Sequence, residues 1–248
     1  MVRLVDTDVA RPELTAAIDE ALLRSRVEGR CGDTVHLYRR DPPSVSIGYF
    51  QSAGEVADLE ACARDGVPVV RRSSGGGAIF TDDRQVVYAV VFAASLTARE
   101  GFDLACGALV KALGRLGVRG AEKSGVNDVL VWGRKVSGSA QVIRRGVHLV
   151  HGTMLVDSDL ERMFTYLRPL PEKLEAQGIA RPRARVTTLK DVLGRAPPLR
   201  EVKTAIAEEL AKAVGGPLEQ GALSERELDE AKRLAQERFS MDSWNLRR

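Results

Sequence analysis

Residues 127–156 read NDVLVWGRKVSGSAQVIRRGVHLVHGTMLV and contain the densest β-strand pattern of the chain. Three runs rich in valine, leucine and small residues are separated by two short breaks, Gly133-Arg134 and Arg144-Arg145-Gly146. Short breaks of this composition between such runs are typical of hairpin turns. The stretch therefore predicts an antiparallel meander of β-strands.

The segments on either side of the meander add further strands and helices. Strands are predicted at 34–38, in the runs SVSIGYF and VPVVRR, and in the pair AIF and VVYAVVF. Helices are predicted at 12–29, 55–66, 102–117, about 199–214 and about 224–238. Because hairpins are mixed with helical crossovers, we expect an α+β fold with mixed, mostly antiparallel sheets flanked by helices.

The length of the chain is that of one large domain. We expect a single domain over residues 1–248, with a core at about 1–195 and a C-terminal helical portion at 196–248. The Gly215-Gly216-Pro217 stretch is the one convincing linker, and no separate accessory domain is expected.

Composition narrows the class of protein. The 37 basic residues are nearly balanced by 34 acidic ones, so the net charge of +3 argues against a nucleic-acid partner. No signal peptide is evident, and no apolar run approaches the roughly 20 residues that a membrane span needs. The cysteines, Cys31, Cys62 and Cys106, are odd in number and lack a CxxC spacing. These features predict a reduced, cytoplasmic setting and no membrane.

The stretch RRSSGGGAIFTDD, residues 71–83, is the first candidate site. It matches neither a Walker A loop nor a Rossmann fingerprint, because a β-like AIF run follows the glycines instead of a helix. A strand–glycine turn–strand of this kind can expose backbone N–H groups to an anion. Arg71 and Arg72 alternate across the strand, so only one is expected to point into a cleft. A tight hairpin with solvated arginines explains the stretch about equally well.

Two further stretches lie in the meander itself. In GRKVSGSAQ, Lys135 stands beside small residues that leave room for a ligand against the strand, although a solvated lysine is the commoner case. In VHLVHGTML, the three-residue spacing of His148 and His151 puts them on opposite faces, which argues against a shared metal. We expect His151 to be a hydrogen-bonded sheet residue. Asp128 is expected either to approach a phosphate-bound Mg²⁺ or to form a strand-entry turn.

Taken together and in this order, RRSSGGGAIF, NDVLV, GRKVSGSAQ and HGTML resemble the lipoate–protein ligase A family. That family shares its catalytic-domain fold with biotin–protein ligases and octanoyltransferases, and the resemblance covers most of the chain. It implies a biotin/lipoate ligase catalytic-domain-like fold. The implied reaction joins lipoate and ATP, with Mg²⁺, into lipoyl-AMP and then passes the acyl group to a lysine of a lipoyl-domain acceptor protein.

The resemblance also implies a set of site residues. The implied catalytic residue is Lys135, which touches both the carboxylate and the phosphate, and the implied magnesium ligand is Asp128. The residues implied to bind ATP or lipoyl-AMP are Arg72, Gly77, Ala78, Ile79, Phe80, Asn127, Asp128 and Lys135. Those implied to bind lipoate are Ser74, Gly75, Gly76, Lys135, Gly138, Ala140, His151, Gly152 and Thr153.

Three matters stay open from the sequence. Thr81-Asp82-Asp83 stands where these ligases usually have His-Asp, which puts a contribution of that histidine to substrate binding in question. The chain either acts alone or needs a separate small accessory subunit. The alternatives to a ligase are an octanoyl or lipoyl transferase that uses a cysteine, and a non-catalytic lipoate-binding module. The segment GAEKSGVNDVLVW, where cysteine-using relatives carry their nucleophile, has no cysteine.

Overall fold

The computed structural model describes residues 1–168 and 182–247. Its strands are β1 Val2–Ala10, β2 Thr34–Arg40, β3 Ser44–Ile47, β4 Val69–Arg71, β5 Ile79–Thr81, β6 Gln85–Ala93, β7 Ala121–Ser124, β8 Asp128–Val131, β9 Arg134–Arg144, β10 Val147–Leu155 and β11 Leu218–Gln220. Its α-helices are α1 Pro12–Val27, α2 Ala53–Val56, α3 Leu59–Arg64, α4 Ala98–Arg115, α5 Leu160–Tyr166, α6 Leu189–Leu193, α7 Leu199–Ala213, α8 Glu225–Leu234 and α9 Asp242–Asn245.

The strands form a large sheet and a small sheet. Within the described residues the large sheet has eight strands in the order β11-β1-β2-β6-β10-β9-β8-β7, and the small sheet has the order β4-β3-β5. In the large sheet β1 runs parallel to β2 and β11, whereas the remaining neighbours are antiparallel. The predicted α+β fold with mixed, mostly antiparallel sheets is confirmed.

The meander of the central sequence forms as predicted. β8, β9 and β10 pair antiparallel in sequence order. Trp132 and Gly133 in the first turn have φ angles of 48° and 76°, and Arg145 and Gly146 in the second have 49° and 77°. Two successive residues with positive φ are the signature of a type I′ hairpin turn, whose twist matches that of the strands. The second position of each turn is a glycine, which adopts a positive φ without a steric penalty.

Some elements differ from the sequence prediction. Residues 55–66 do not form one helix: Ala57 is extended, with φ of −131° and ψ of 144°, so α2 and α3 are separate. The strand β1 was not predicted, because Asp6 and Asp8 interrupt its apolar pattern. Both carboxylates bind the Lys203 ammonium from α7, at 2.8 and 2.7 Å. The stretch after the predicted linker at 215–217 adds β11 to the large sheet beside β1.

Helices pack on both faces of the large sheet. α4 and α7 pack on one face around a buried cluster that includes Leu37, Val90 and Leu109. α1 and α8 pack on the other face, where Leu22, Val91 and Leu149 are buried. The small sheet lies beside α1 and has its own apolar cluster with α5. None of the described helices combines the length and apolar character that crossing a membrane requires.

Candidate active site

A row of paired residues crosses five strands of the large sheet and forms the floor of a cavity. Tyr38 pairs with Val87, Val87 with Thr153, Thr153 with Gly138, and Gly138 with Asp128. Directly paired residues project to the same face of a sheet. Gly138 has no side chain, and the space that a side chain would fill between its larger neighbours in the row is taken by the end of the Lys135 side chain.

The cavity lies between this floor, α1 and the loop that follows β4. A water-sized sphere can move through about 120 Å³ of it, within a wider empty space of about 830 Å³ that includes open solvent. Many of the residues that the sequence analysis selected line it: Arg72, Gly77, Ala78, Ile79, Asn127, Lys135, Gly138, Ala140, His151, Gly152 and Thr153.

The remaining selected residues lie next to this cavity. Phe80 lines a second, largely apolar pocket, and Asp128 forms an ion pair with Lys135. Ser74 is fully buried, with its Oγ 2.6 Å from His151 Nε2. A side chain at Gly76, which has a φ of 88°, would press on the Arg72 guanidinium. A side chain at Gly75 would reach only the Phe50 ring, at 3.8 Å.

Arg72 holds the glycine loop together. Its Nη2 donates to the carbonyl oxygens of Gly75 and Gly77 at 2.6 and 2.8 Å, and its Nε donates to Ser74 Oγ at 3.1 Å. Burial, with a smaller contribution from the charge of Arg40, lowers the pKa of Arg72 to about 10. The sequence predicted that the guanidinium of one of these arginines would be open to a ligand. In the structure, most N–H donors of Arg72 bind oxygen atoms of the protein itself. Its contact with a nucleotide stays a prediction.

Arg71 points to the opposite side, as alternation along a strand predicts. Its fully buried guanidinium donates to the carbonyl oxygens of Tyr49 and Gln51 and to those of Trp244 and Asn245 near the C-terminus. The C-terminal segment thereby fixes β4 and the start of the glycine loop from behind the cavity.

Lys135 stands where the two pockets meet. Its side chain lines both of them and is about one-third exposed, with Nζ 2.6 Å from Asp128 Oδ1. The second pocket is bounded by apolar side chains from β5, β10 and α5, among them Phe80, Leu155 and Phe164. A Cβ at Gly138 would lie 2.5 Å from Lys135 Nζ, so the glycine gives the lysine its position.

A buried aspartate on α1 orders the wall of the cavity. Asp19 Oδ1 lies 2.9 Å from His36 Nδ1, and Oδ2 lies 2.9 Å from His151 Nδ1 and accepts from Tyr38 Oη at 3.1 Å. Burial by itself raises the pKa of the Asp19 carboxyl, but hydrogen bonds from His151 and His36 outweigh it and hold that pKa well below its ordinary value. His151 is thus a hydrogen-bonded sheet residue, as expected from the sequence.

Asp19 and several other residues that line the cavity were not predicted from the sequence. The missed residues are Ala16, Asp19, Glu20, Tyr38, Arg40, Ser46, Ser73, Thr81, Val87, Ser139 and Leu149. One signal was available: Asp19 and Glu20 interrupt the buried stripe of α1, and a buried carboxylate needs partners. Strand periodicity gives no such signal for Arg40, which follows an arginine at position 39.

The three cysteines all fall in the described part of the chain, and none lines either pocket. Cys106 is fully buried on α4, and Cys62 is buried on α3. Burial raises the pKa of the Cys106 thiol and raises that of Cys62 to about 11. A nucleophilic cysteine needs a lowered pKa and access to its substrate, and these two have neither.

Known proteins resemble this chain over most of its length. The family model "Lipoyl protein ligase A/B catalytic domain" matches residues 11–211. The octanoyltransferase LipM of Symbiobacterium thermophilum is 36% identical over 99% of this chain and 98% of its own.

Two solved structures share the fold. A lipoate–protein ligase A bound with ATP has a TM-score of 0.86 at 28% identity, covering 98% of both chains. The bipartite lipoate protein ligase of Thermoplasma acidophilum, from a structural analysis of this ligase and its E2 lipoyl domain, has a TM-score of 0.85 at 28% identity, covering 100% of this chain and 96% of its own. The predicted family and fold class are confirmed. The chain belongs to the lipoyl protein ligase A/B catalytic domain family of enzymes.

Proposed function

We propose that the protein is an ATP-dependent ligase that attaches lipoate, or a medium-chain acid of similar length, to a lysine of a lipoyl-domain protein. The observation that carries this proposal is the position of Lys135 at the junction of two pockets. The cavity over β9 and β10 suits the acyl chain, and the apolar pocket beside α5 suits the adenine base. The two reacting groups, a carboxylate and an α-phosphate, would then meet beside one ammonium group.

The first step joins these two groups. A carboxylate oxygen attacks the α-phosphorus of ATP, the bond from that phosphorus to the bridging oxygen breaks, and pyrophosphate leaves. Both reactants are anions, so their repulsion must be offset by fixed positive charge and by N–H donors. Lys135 supplies the charge, and Gly77 and Ala78 line the cavity, so their backbone N–H groups are the proposed donors to the phosphate.

The second step transfers the acyl group. The amine of the acceptor lysine attacks the acyl carbon of the mixed anhydride, AMP departs, and the nitrogen loses a proton. An anhydride is already activated, so the enzyme needs no nucleophile of its own. This fits a site in which neither pocket is lined by any of the three cysteines.

Magnesium is expected to accompany ATP, with Asp128 as its protein ligand. Among the described residues no group of three or more His, Cys, Asp or Glu side chains is arranged so that it could hold a metal ion. Mg²⁺ at a nucleotide site is commonly held by one or two carboxylates together with the phosphates, and Asp128, about one-quarter exposed, fits that arrangement. The ion would neutralise phosphate charge. Bound there, it would compete with Lys135 for the Asp128 carboxylate.

The second candidate is octanoyl transfer between carrier proteins. It is favoured by the name of the Symbiobacterium thermophilum relative, which is an octanoyltransferase. Transfer through a thioester would have to use Cys31, Cys62 or Cys106. Mass spectrometry after incubation with octanoyl carrier protein tests this directly. An acylated cysteine supports the transferase, and an unmodified chain contradicts it.

The acceptor is proposed to be a lipoyl domain because the Thermoplasma acidophilum neighbour is a ligase described with its E2 lipoyl domain. That neighbour is also bipartite, so a separate accessory subunit is part of the test. We expect ATP-dependent transfer of lipoate to a purified lipoyl domain, measured by the mass of the acceptor, with and without a candidate small subunit. Binding of lipoate without any transfer, in both conditions, would instead support a non-catalytic binding module.

Replacing Gly77 with alanine tests the glycine loop. In the free protein a Cβ at this position meets no atom within 4 Å, so the Gly77→Ala variant is expected to fold normally. If ATP lies against the loop, the methyl group is expected to raise the KM for ATP roughly tenfold, since close backbone approach is what glycine permits. Gly114→Ala on α4, equally open, is the matched control. An unchanged KM in Gly77→Ala contradicts the placement of the nucleotide.

A further inference from the structure

Phe50 is an exposed aromatic residue beside the glycine loop. It lies in the segment between β3 and α2 and is 71% exposed. A Cβ at Gly75 would lie 3.8 Å from the Phe50 ring, so the ring packs beside the loop. The next two residues, Gly76 and Gly77, are exposed, and Gly77 also lines the cavity. Phe50 therefore borders the rim of the cavity.

The backbone around Phe50 is held in place on both sides. The buried guanidinium of Arg71 donates to the carbonyl oxygens of Tyr49 and Gln51 at 3.0 and 2.6 Å. The Tyr49 ring packs edge-on against the Phe50 ring, with 4.9 Å between the centroids, and the Tyr49 N–H donates to the carbonyl oxygen of Ser74 at 2.8 Å. A side chain on a backbone that is already ordered loses little entropy when a partner covers it. Exposed and preorganised aromatic rings of this kind are typical anchors of protein interfaces.

A second exposed apolar side chain, Val126, lies at the same rim. It is 53% exposed in the turn between β7 and β8. The next residue, Asn127, lines the cavity, and its carbonyl oxygen accepts from the N–H of Ser139 at 2.9 Å. From the glycine loop, a Cβ at Gly76 would lie 3.4 Å from the Cβ of Ala140. The β7–β8 turn and the glycine loop thus meet adjacent residues of β9.

The second step of the proposed reaction brings the acceptor to this rim. A lysine side chain extends about 6 Å from Cα to Nζ, because five bonds separate the two atoms. Its amine must reach an acyl carbon that is held beside Lys135, within the cavity. The backbone of the acceptor therefore comes within about 6 Å of that carbon. The surface around the acceptor lysine must then lie against the residues that border the opening.

We propose that Phe50 and Val126 form the docking surface for the acceptor domain, with Phe50 as its anchor. The inference rests on the proposed function, because it concerns the protein that receives the acyl group. Neither side chain lines the cavity or the apolar pocket beside α5. Truncating them is therefore expected to weaken the encounter with the acceptor and to leave formation of the acyl-adenylate intact.

The test compares a purified E2 lipoyl domain with hydroxylamine, a small nucleophile that needs no docking surface. In Phe50→Ala we expect the KM for the lipoyl domain to rise about tenfold, and in Val126→Ala about threefold. Pyrophosphate exchange and formation of the hydroxamate are expected to stay unchanged in both variants. Thermal unfolding establishes that each variant is folded.

The matched controls are Ile143→Ala and Val9→Ala, which also truncate exposed apolar side chains. Ile143 lies near the far end of β9 from Lys135, and Val9 is on β1, five strand intervals from β8. Both controls are expected to behave as the unmodified protein does. A rise in the KM for the lipoyl domain that is equally large in the controls overturns the inference, because any lost apolar surface would then have the same effect.

The remaining outcomes separate this inference from the ligase. A raised KM for the domain with unchanged hydroxamate formation supports both. An unchanged KM in folded Phe50→Ala and Val126→Ala overturns the inference, as does an equal loss of exchange and transfer, since the residues would then serve adenylation. An effect confined to assays that contain a small accessory subunit also overturns it, because the surface would then bind that subunit.

Absence of exchange in the unmodified protein would contradict the ligase. Docking is then measured by calorimetric titration of the free protein with the lipoyl domain. Weaker binding by Phe50→Ala than by the unmodified protein and Ile143→Ala supports the docking surface without the ligase. Equal or absent binding in all three overturns it.

Discussion

Replacing Lys135 with alanine is expected to lower the rate of acid-dependent pyrophosphate exchange about 1,000-fold while leaving the unfolding transition nearly unchanged. The rate should fall because the ammonium is the charge at the junction of the two pockets, where a carboxylate must approach a phosphate. Stability should persist because the side chain is 37% exposed and its partner Asp128 is 27% exposed. Partly exposed ion pairs contribute about 1 kcal/mol or less.

The control for this variant is Lys111→Ala on α4, an exposed lysine on the far side of the large sheet. It changes the net charge by the same amount and is expected to retain full activity. The two variants are compared by steady-state exchange at saturating ATP and by denaturant unfolding. Full exchange activity in folded Lys135→Ala would contradict the mechanism proposed for the first step. A parallel loss in both lysine variants would point to a general effect of charge.

The sequence predicts those parts of the fold that local chemistry determines. The meander is predictable because β-branched residues fill the strands and the glycines at 133 and 146 adopt the positive φ angles of the hairpin turns. Lys135 could be selected because small residues surround it within the same strand. The extent of α4 could not be read from its apolar stripe, because the helix begins at Ala98, where Thr97 and Glu100 form a capping box.

Long-range contacts determine what the sequence could not show. β1 has a broken apolar pattern, and a lysine nearly two hundred positions later in the chain compensates its two aspartates. Arg72 was selected as a ligand contact, but whether its donors are free depends on how the loop folds back on it. Arg40, which lines the cavity from β2, contacts Thr15 of α1 and Thr81 of β5. The apolar periodicity of a single segment carries no information about which distant segments will contact it.

Asp19→Asn is expected to reduce both stability and activity. The carboxylate accepts hydrogen bonds from two histidines and a tyrosine, whereas an amide would turn two N–H donors toward donor groups. Removing one partner of a buried charged network costs about 3 kcal/mol. The adenylation rate should also fall, because His151 lies 2.6 Å from Ser74 and so links the aspartate to the glycine loop. Asp19 is in this sense a positioning residue.

The pH dependence of stability gives a separate test of the same residue. The pKa of Asp19 is lowered in the folded protein, so the unfolded chain takes up a proton at the ordinary value of about 3.9 while the folded protein does not. Its contribution is therefore present at neutral pH and is lost progressively as the pH falls below about 4. The difference in unfolding free energy between the unmodified protein and Asp19→Asn should be largest near neutrality and shrink in acid.

The matched control is Asp229→Asn on α8, an exposed carboxylate that removes the same charge. It is expected to unfold as the unmodified protein does and to keep its exchange rate. Urea unfolding at several pH values, followed by exchange assays under conditions where each variant is folded, separates the two effects. A purely structural role would lower stability and leave the rate of folded Asp19→Asn intact. Equal stability of the two aspartate variants at neutral pH would contradict the buried network itself, because its charge would then contribute no more than a solvated one.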